Sequence, residues 1–505
     1  MKSVKVLFIN VILLTAASLL MRTIAMAFQV YLSNKIGSEG IGLFQLILSV
    51  YFFAVTLATS GIRLAATRLV AEELGVGRLA EARRSVRVCL TYSGVCGGTV
   101  AALLFAFAGE ICASWLGDAR AALSLRMLAV SLPFVAASAV FGGYFTAARH
   151  AAKSAAVQVI EQLLRVAVTA LCLAALTPAE QSPMNMEYAC AAIVAGVCAG
   201  EFSSSALLFL LYRADARRLK KGGGGARRGL VPRMFRIALP VALSAYVTSG
   251  MRTAQHLLVP YGLKRSGASG ENALAVYGVV HGMALPLLMF PSVLLDAVSE
   301  LIVPELAECR ARGAEKRLTY IVNRVFHLGM ITSVGVMFLF LRFAGELGPA
   351  IYKNGEAARF ILILAPMIPV TYLDAVVDGM LKGMGEQLRA MRYNIIDAAV
   401  SVALIYTLLP KYAVAGYIFT VFFGRALNFA LSLRRLMKSA AFTPQPLCAA
   451  KAVLCVLGAI VLSRLCGGLP LPLGIPLAAS VYVLLLKLTA CVTEEDLRWC
   501  RDIFR

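Results

Sequence analysis

The sequence predicts an all-α polytopic membrane protein of about fourteen transmembrane helices. Three observations lead there. Of the 505 residues 60% are hydrophobic and only 15% are charged, with a mean hydropathy of +0.79; a soluble chain of this length needs roughly twice that charged fraction to cover its surface. Apolar runs long enough to cross a bilayer recur from end to end. The basic residues are concentrated in alternate loops.

Taken in order, the first run spans 6–31. Its start, "MKSVKVLFINVILLTAASLL", has the charged opening and apolar core of a secretory signal. The apolar character continues past Arg22 to Tyr31, so this segment is expected to stay attached as a first helix. Runs at 41–63, 88–108, 124–146, 154–176 and 187–211 complete a first set of six. The stretch "RRLKKGGGGARRGLVPR" (217–233) follows, a glycine run between basic residues that reads as a solvated linker. Runs at 235–260, 275–296, 323–343, 358–381, 394–410 and 413–433 make a second six, and 448–466 and 470–490 a final pair. The expected organisation is therefore an N-terminal six-helix lobe (1–212), a basic Gly-rich linker (213–233), a C-terminal six-helix lobe (234–438), and a C-terminal helix pair with its tail (439–505).

Charge fixes the expected orientation. Loops on the side of the N-terminus hold Arg68, Arg78, Arg83, Arg84 and Arg87, then Arg149 and Lys153, then the block from Arg213 to Arg236. Further along the same side lie Arg310, Arg312, Lys316 and Arg317, then Lys382, Arg389 and Arg392, then Arg434, Arg435 and Lys438. This is the positive-inside pattern, which places both termini in the cytoplasm and the protein in the cytoplasmic membrane. The net charge of +22 is then a topology device and a contact for anionic lipid headgroups, not a nucleic-acid footprint.

Catalytic and cofactor signatures are lacking. The twelve cysteines are scattered without a C-x-x-C pair and sit mostly in apolar runs, where a thiol acts as a small hydrophobe. There is no phosphate loop, nucleophile elbow, H-E-x-x-H or dinucleotide fingerprint, and the four histidines are isolated. Neither an enzyme nor a cofactor or metal site is expected.

The informative residues are polar ones inside the apolar runs. "VQVIEQLLRV" (157–166) puts Gln158, Glu161, Gln162 and Arg165 into the fifth. Glu161 and Arg165 are spaced i, i+4 with the acid first, so they pair on one helix face. Charges at membrane depth are costly unless they turn toward protein or water, so this helix points to a polar interior. Similar stripes occur in the first run (Thr15, Ser18, Arg22, Gln29), the second (Gln45, Ser49, Thr56, Ser60, Arg63) and the seventh (Ser244, Thr248, Arg252, Gln255). Helix-to-helix hydrogen bonding or snorkelling is the alternative explanation for each stripe. Arginine's planar fork binds phosphate oxygens bidentately. Arg22, Arg63, Arg252, Gln29 and Gln255 are therefore the candidate substrate-binding residues, with Arg22 and Arg252 taking the phosphates from two lobes. Glu161, Arg165, Gln158, Asn394 and Asp397 are the candidate structural or coupling residues. Asp397 with Asn394 offers hard oxygen ligands to a small cation; coupling to Na+, H+ or the membrane potential stays open. Acids also occur at Glu201 in the sixth run and at Asp374 and Asp378 in the tenth.

Two stretches superpose across the linker: "GYFTAARHAAKSAAVQVIEQ" from Gly143 and "GMLKGMGEQLRAMRYNIIDA" from Gly379. The shared offset pairs Lys153 with Arg389, Gln158 with Asn394 and Glu161 with Asp397. An even number of spans per half implies two lobes related by a pseudo-twofold axis along the membrane normal, with a site at their interface.

"IGSEGIGLFQ" (36–45), "SGI" followed by "RLVAEE" (60–73), "QVIEQLLRV" (158–166) and "LIVPEL" (301–306) resemble the stage V sporulation protein B group. That group lies in the polysaccharide branch of the multidrug/oligosaccharidyl-lipid/polysaccharide exporter superfamily. The resemblance implies two six-helix lobes forming a V and alternating access. It also implies translocation of a lipid-linked saccharide or peptidoglycan precursor, with two extra C-terminal helices accommodating the lipid tail. Arg63 departs from the pattern, which usually has proline there, and Gln255 stands where an acid is common. The expected function is thus a flippase whose partners are a lipid-linked anionic saccharide and membrane lipids, serving cell-wall, spore-cortex or polysaccharide synthesis. A cation-coupled multidrug exporter and a non-transporting scaffold for cell-wall enzymes remain as alternatives. Nothing in the sequence specifies the lipid, the sugar or the oligomeric state.

Overall fold

A computed structural model describes residues 2–176, 185–218, 229–440, 442, 446–465 and 470–492, with side chains from 19 onward except at 151, 217–218, 446–447 and 463–465. The regular structure described is helical throughout. It comprises α1 (Lys2–Thr59), α2 (Ile62–Gly75), α3 (Leu79–Ile111), α4 (Ala122–Ala147), α5 (Ala151–Leu176), α6 (Met186–Arg218), α7 (Leu230–Arg265) and α8 (Gly270–Gly278). Then come α9 (Leu285–Met289), α10 (Val293–Ala311), α11 (Glu315–Tyr352), α12 (Gly355–Leu364), α13 (Ile368–Gly383), α14 (Gln387–Ala440), α15 (Pro446–Leu465) and α16 (Leu471–Leu488).

Eleven helical segments among the described residues are long and apolar enough to cross a membrane. Two are double. α1 breaks at Gly37 and α14 at Ala413, each residue having a positive φ (72° and 48°) that a continuous helix forbids. Counting those two as pairs gives thirteen spans, and the shorter apolar helix Cys448–Leu462 makes fourteen.

By contacts the chain divides into two compact units, Met1–Lys264 with Ala268–Gly278 and Arg265–Gly267 with Val279–Arg505. By this division α7 falls within unit 1. Its N-terminal end is tied to α2 by Arg233, which pairs with Glu72 and lies 3.8 Å from Glu73. Its middle is stitched to the second leg of α1 by Tyr246 to the Leu57 carbonyl (3.2 Å), Ser249 to Thr56 (3.1 Å) and Thr253 to the Ser49 carbonyl (3.0 Å). Such bonds between spans contribute on the order of 1 kcal/mol each.

The core of unit 1 joins Ile62, Leu69 and Val70 of α2 to Val86 of α3, Phe141 and Phe145 of α4, and Met234 and Ala238 of α7. Gly61 makes this possible. It turns the chain between α1 and α2 with φ 77°, and a Cβ there would lie 2.3 Å from the Ala238 carbonyl oxygen. Only glycine meets both demands. In unit 2, α16 docks on α11 through Tyr482, which donates to the Ile331 carbonyl (3.0 Å) and presses on Gly335.

Candidate functional site

A polar cavity of about 260 Å³ lies inside unit 1, between otherwise apolar helices. Thr59 of α1, Arg63 of α2, Ser138 and Gly142 of α4, Ser154, Gln158 and Glu161 of α5, and Glu201 and Ser204 of α6 line it. The turn at Gly61 decides Arg63's place. The sequence put Arg63 at the end of the second span; the structure ends that helix at Thr59 and sets Arg63 in the first turn of α2. A first turn accepts proline or another residue alike, since its N–H groups have no partner within the helix. Arginine can therefore replace the usual proline while keeping the helix. Its carbonyl receives Thr67 Oγ1 at 2.9 Å, and that hydroxyl also reaches the Gly143 carbonyl of α4 at 3.2 Å.

Behind the two lining acids, Arg165 Nη2 donates to Glu161 Oε1 at 2.9 Å and lies 3.5 Å from Glu201 Oε1. The pairing of Glu161 with Arg165 is the one read from their spacing; the second carboxylate comes from the neighbouring helix. α5 and α6 come this close because Gly196 faces α5, where a Cβ would fall 2.0 Å from Thr169 Oγ1. At one end of the same pair, Lys153 Nζ is held by both Asp215 oxygens at 2.9 and 3.0 Å. Glu161 and Glu201 thus share Arg165 and Asp215 holds Lys153, while the Arg63 side chain is exposed.

Unit 2 holds a second polar cluster, in which Asp374 of α13 meets the two legs of α14. Asn428 Nδ2 donates to Asp374 Oδ2 (2.8 Å) and to Asn394 Oδ1 (3.2 Å), and Ser401 Oγ to Asp397 Oδ1 (3.3 Å). Asp374 Oδ1 and Asn428 Oδ1 are buried without a hydrogen-bond partner. Carboxylate and amide oxygens of this kind are hard donors suited to a small cation. Among the described residues no group of three or more His, Cys, Asp or Glu is gathered as metal ligands.

The remaining candidates lie elsewhere. The side chains of Thr15 and Ser18 are outside the described residues. Arg22 and Gln29 are on the first leg of α1, Arg252 and Gln255 on α7; Arg22 and Arg252 are exposed, and both belong to unit 1 rather than to separate units. The second stripe largely serves packing: Ser49 is buried, its hydroxyl on the Leu46 carbonyl and its own carbonyl receiving Thr253. Sequence reasoning assigned no role to Glu201, Asp374, Ser204 or Asn428. An acid within an apolar run was the available signal for the first two; Ser204 and Asn428 gave none.

A family model described as polysaccharide biosynthesis protein matches residues 7–261, and one described as MatE matches 265–407. Stage V sporulation protein B of Bacillus subtilis is 26% identical over 423 residues, covering 82% of this chain and 80% of that protein. Sporulation protein YkvU of the same organism is 22% identical over 415 residues, covering 79% and 87%. Among solved structures, the lipid II flippase MurJ in an inward closed conformation superposes with a TM-score of 0.72 at 12% identity, over 98% of this chain and 100% of that one. An inward-facing multidrug resistance transporter of the MATE family superposes with a TM-score of 0.68 at 15% identity, over 83% and 95%. These identities establish a shared fold. The MurJ likeness extends over a larger share of this chain than the MATE likeness does.

Proposed function

The chain belongs to the polysaccharide biosynthesis protein family, and from that premise we propose that it is a flippase moving a lipid-linked saccharide or peptidoglycan precursor across the cytoplasmic membrane by alternating access. The observation that carries this reading is the cavity lined by Arg63, Glu161 and Glu201 within membrane-spanning helices. Polar groups are kept at such depth for a polar passenger or its coupling ion. The two acids are engaged by Arg165, which leaves Arg63 to attract an anion, and its fork matches a phosphate of the lipid pyrophosphate. Arg22, Arg252, Gln29 and Gln255 are further proposed contacts, now offered from one unit. Both termini are cytoplasmic in this reading, as the basic loops require. Transport is the whole activity proposed; no covalent chemistry is assigned. The names of the two Bacillus relatives support a role in sporulation.

Coupling is proposed to run through unit 2, where Asp374, Asn428, Asn394 and Asp397 would hold Na+ or a proton. A second reading, a cation-coupled drug exporter, is favoured by that same cluster and by the MATE likeness. The two part on the passenger. Mass spectrometry of lipids from depleted cells should show a lipid-linked saccharide accumulating; an unchanged lipid pool with loss of drug efflux would favour the exporter. Arg63→Gln should reproduce the accumulation at normal protein levels, and Arg63→Lys only part of it, because lysine keeps the charge but loses the fork.

A further inference from the structure

A second cavity, of about 400 Å³, is set in unit 2 between the ends of the two legs of α14. Arg389, Arg392 and Tyr393 line it from the first leg, and Leu431, Arg434, Arg435 and Lys438 from the second. Five cationic side chains thus line it from the two legs, and Glu386 beside it pairs with two of them. Glu386 Oε2 lies 3.4 Å from Arg389 Nε, and its Oε1 accepts from Arg435 Nη2. Arg435 Nε is buried with no hydrogen-bond partner. Arg392, Arg434 and Lys438 are exposed.

A topology signal needs basic residues in a loop, not a cavity. Like charges three or four residues apart on a helix repel, and the two legs bring two such sets together. An anion with several oxygens relieves that repulsion and satisfies the unpartnered guanidinium nitrogen. The apolar runs of α14 end beside the cavity, which puts it at the depth of lipid headgroups. Leu388, Ile396 and Met437 expose apolar surface on the same helix, 72%, 44% and 42% accessible.

We propose that this cavity binds the phosphoryl group of an anionic lipid headgroup, clamping the two legs of α14 together. The site is independent of the passenger route in unit 1. The same chemistry would accept a free phosphoryl anion, and the experiment separates the two sources.

The full chain, purified in a zwitterionic-lipid-free detergent, is titrated with short-chain phosphatidylglycerol, short-chain phosphatidylcholine or inorganic pyrophosphate while its thermal midpoint is followed. Phosphatidylglycerol should raise the midpoint and phosphatidylcholine should not. The concentration needed should rise on the order of tenfold or more in Arg392→Gln/Arg434→Gln, as expected when two headgroup-facing cations are lost. Arg392→Lys/Arg434→Lys should retain most of the shift, and Arg312→Gln/Lys316→Gln, which removes equal charge elsewhere, should retain all of it. Pyrophosphate acting without phosphatidylglycerol would overturn the lipid as the source. Equal shifts by both lipids, or an undiminished shift in a monodisperse Arg392→Gln/Arg434→Gln protein, would reduce the cluster to a topology device.

Discussion

The helix pair α5–α6 of unit 1 and the two legs of α14 in unit 2 are built on one plan and charged differently. In each, an acid on the first helix meets a donor four residues on: Glu161 with Arg165 at 2.9 Å, Asp397 with Ser401 at 3.3 Å. The offset that pairs Glu161 with Asp397 also pairs Arg165 with Ser401. In each, a glycine of the second helix faces that acid and donor. A Cβ on Gly200 would lie 3.4 Å from Glu161 Cγ and 3.5 Å from Arg165 Cβ; one on Gly424 would lie 2.7 Å from both Asp397 Oδ1 and Ser401 Oγ. The next residue is Glu201 in one case and Arg425 in the other, and four residues after each glycine come Ser204 and Asn428. The frame is kept while the residue after the glycine changes from an acid, Glu201, to an exposed arginine, Arg425.

That exchange separates the chemistry of the two clusters. In unit 1 the acids are answered within the protein by Arg165, and Arg63 faces the cavity. In unit 2 a buried carboxylate oxygen and a buried amide oxygen have no hydrogen-bond partner. In the proposed reading the first takes an anion through Arg63 and the second a small cation through those oxygens. Repeated scaffolds allow this division, because each copy can change its charges without rebuilding the helix crossing.

The largest expected effect breaks the comparison at its donor. Arg165→Ala leaves Glu161 and Glu201 facing each other without their cation, costing about 3–5 kcal/mol. Ser401→Ala removes one hydrogen bond, costing about 1 kcal/mol. Thermal unfolding in detergent should rank them in that order; similar losses would deny that unit 1 depends on its internal cation. The double exchange Glu161→Arg/Arg165→Glu should recover at least about 1 kcal/mol relative to the worse single change, the signature of a coupled pair. A swapped protein no better than either single variant would dissolve the pair.

Next comes the helix crossing. Gly424→Ala should cost about 1–3 kcal/mol, because the added methyl overlaps two polar atoms that hold each other. Gly200→Ala should cost less than this, since its tightest contact, the Glu161 carbonyl oxygen at 3.3 Å, needs a shift of only a few tenths of an ångström and alanine favours the helix by about 0.5–1 kcal/mol. Equal sensitivity of the two sites, read from the same melts, would mean that the frame is not shared in the way described.

How much of this could be read beforehand depended on the range of the interaction. The span count and the Glu161–Arg165 pair were legible because both rest on local periodicity. So was the match of Gln158 and Glu161 with Asn394 and Asp397. Arg63 was misplaced by one helix end because the turn at Gly61 depends on the backbone of α7, far away in sequence. Glu201 and Asp374 were visible as acids in apolar runs, but their partners lie on neighbouring helices. The lodging of α7 in unit 1 rests on side chain to carbonyl bonds that leave no periodic trace.

The central claim, an anion site in unit 1 and a cation site in unit 2, is tested most directly in proteoliposomes that report flipping of a fluorescent lipid-linked pyrophosphoryl saccharide under imposed Na+ or proton gradients. Arg63→Gln should raise the substrate concentration needed for half-maximal flipping and leave the response to the gradient intact. Asp374→Asn should abolish the gradient response and leave the half-maximal concentration near its original value. If both variants change the same parameter, or if each changes the one assigned to the other, the division of labour between the two units is wrong.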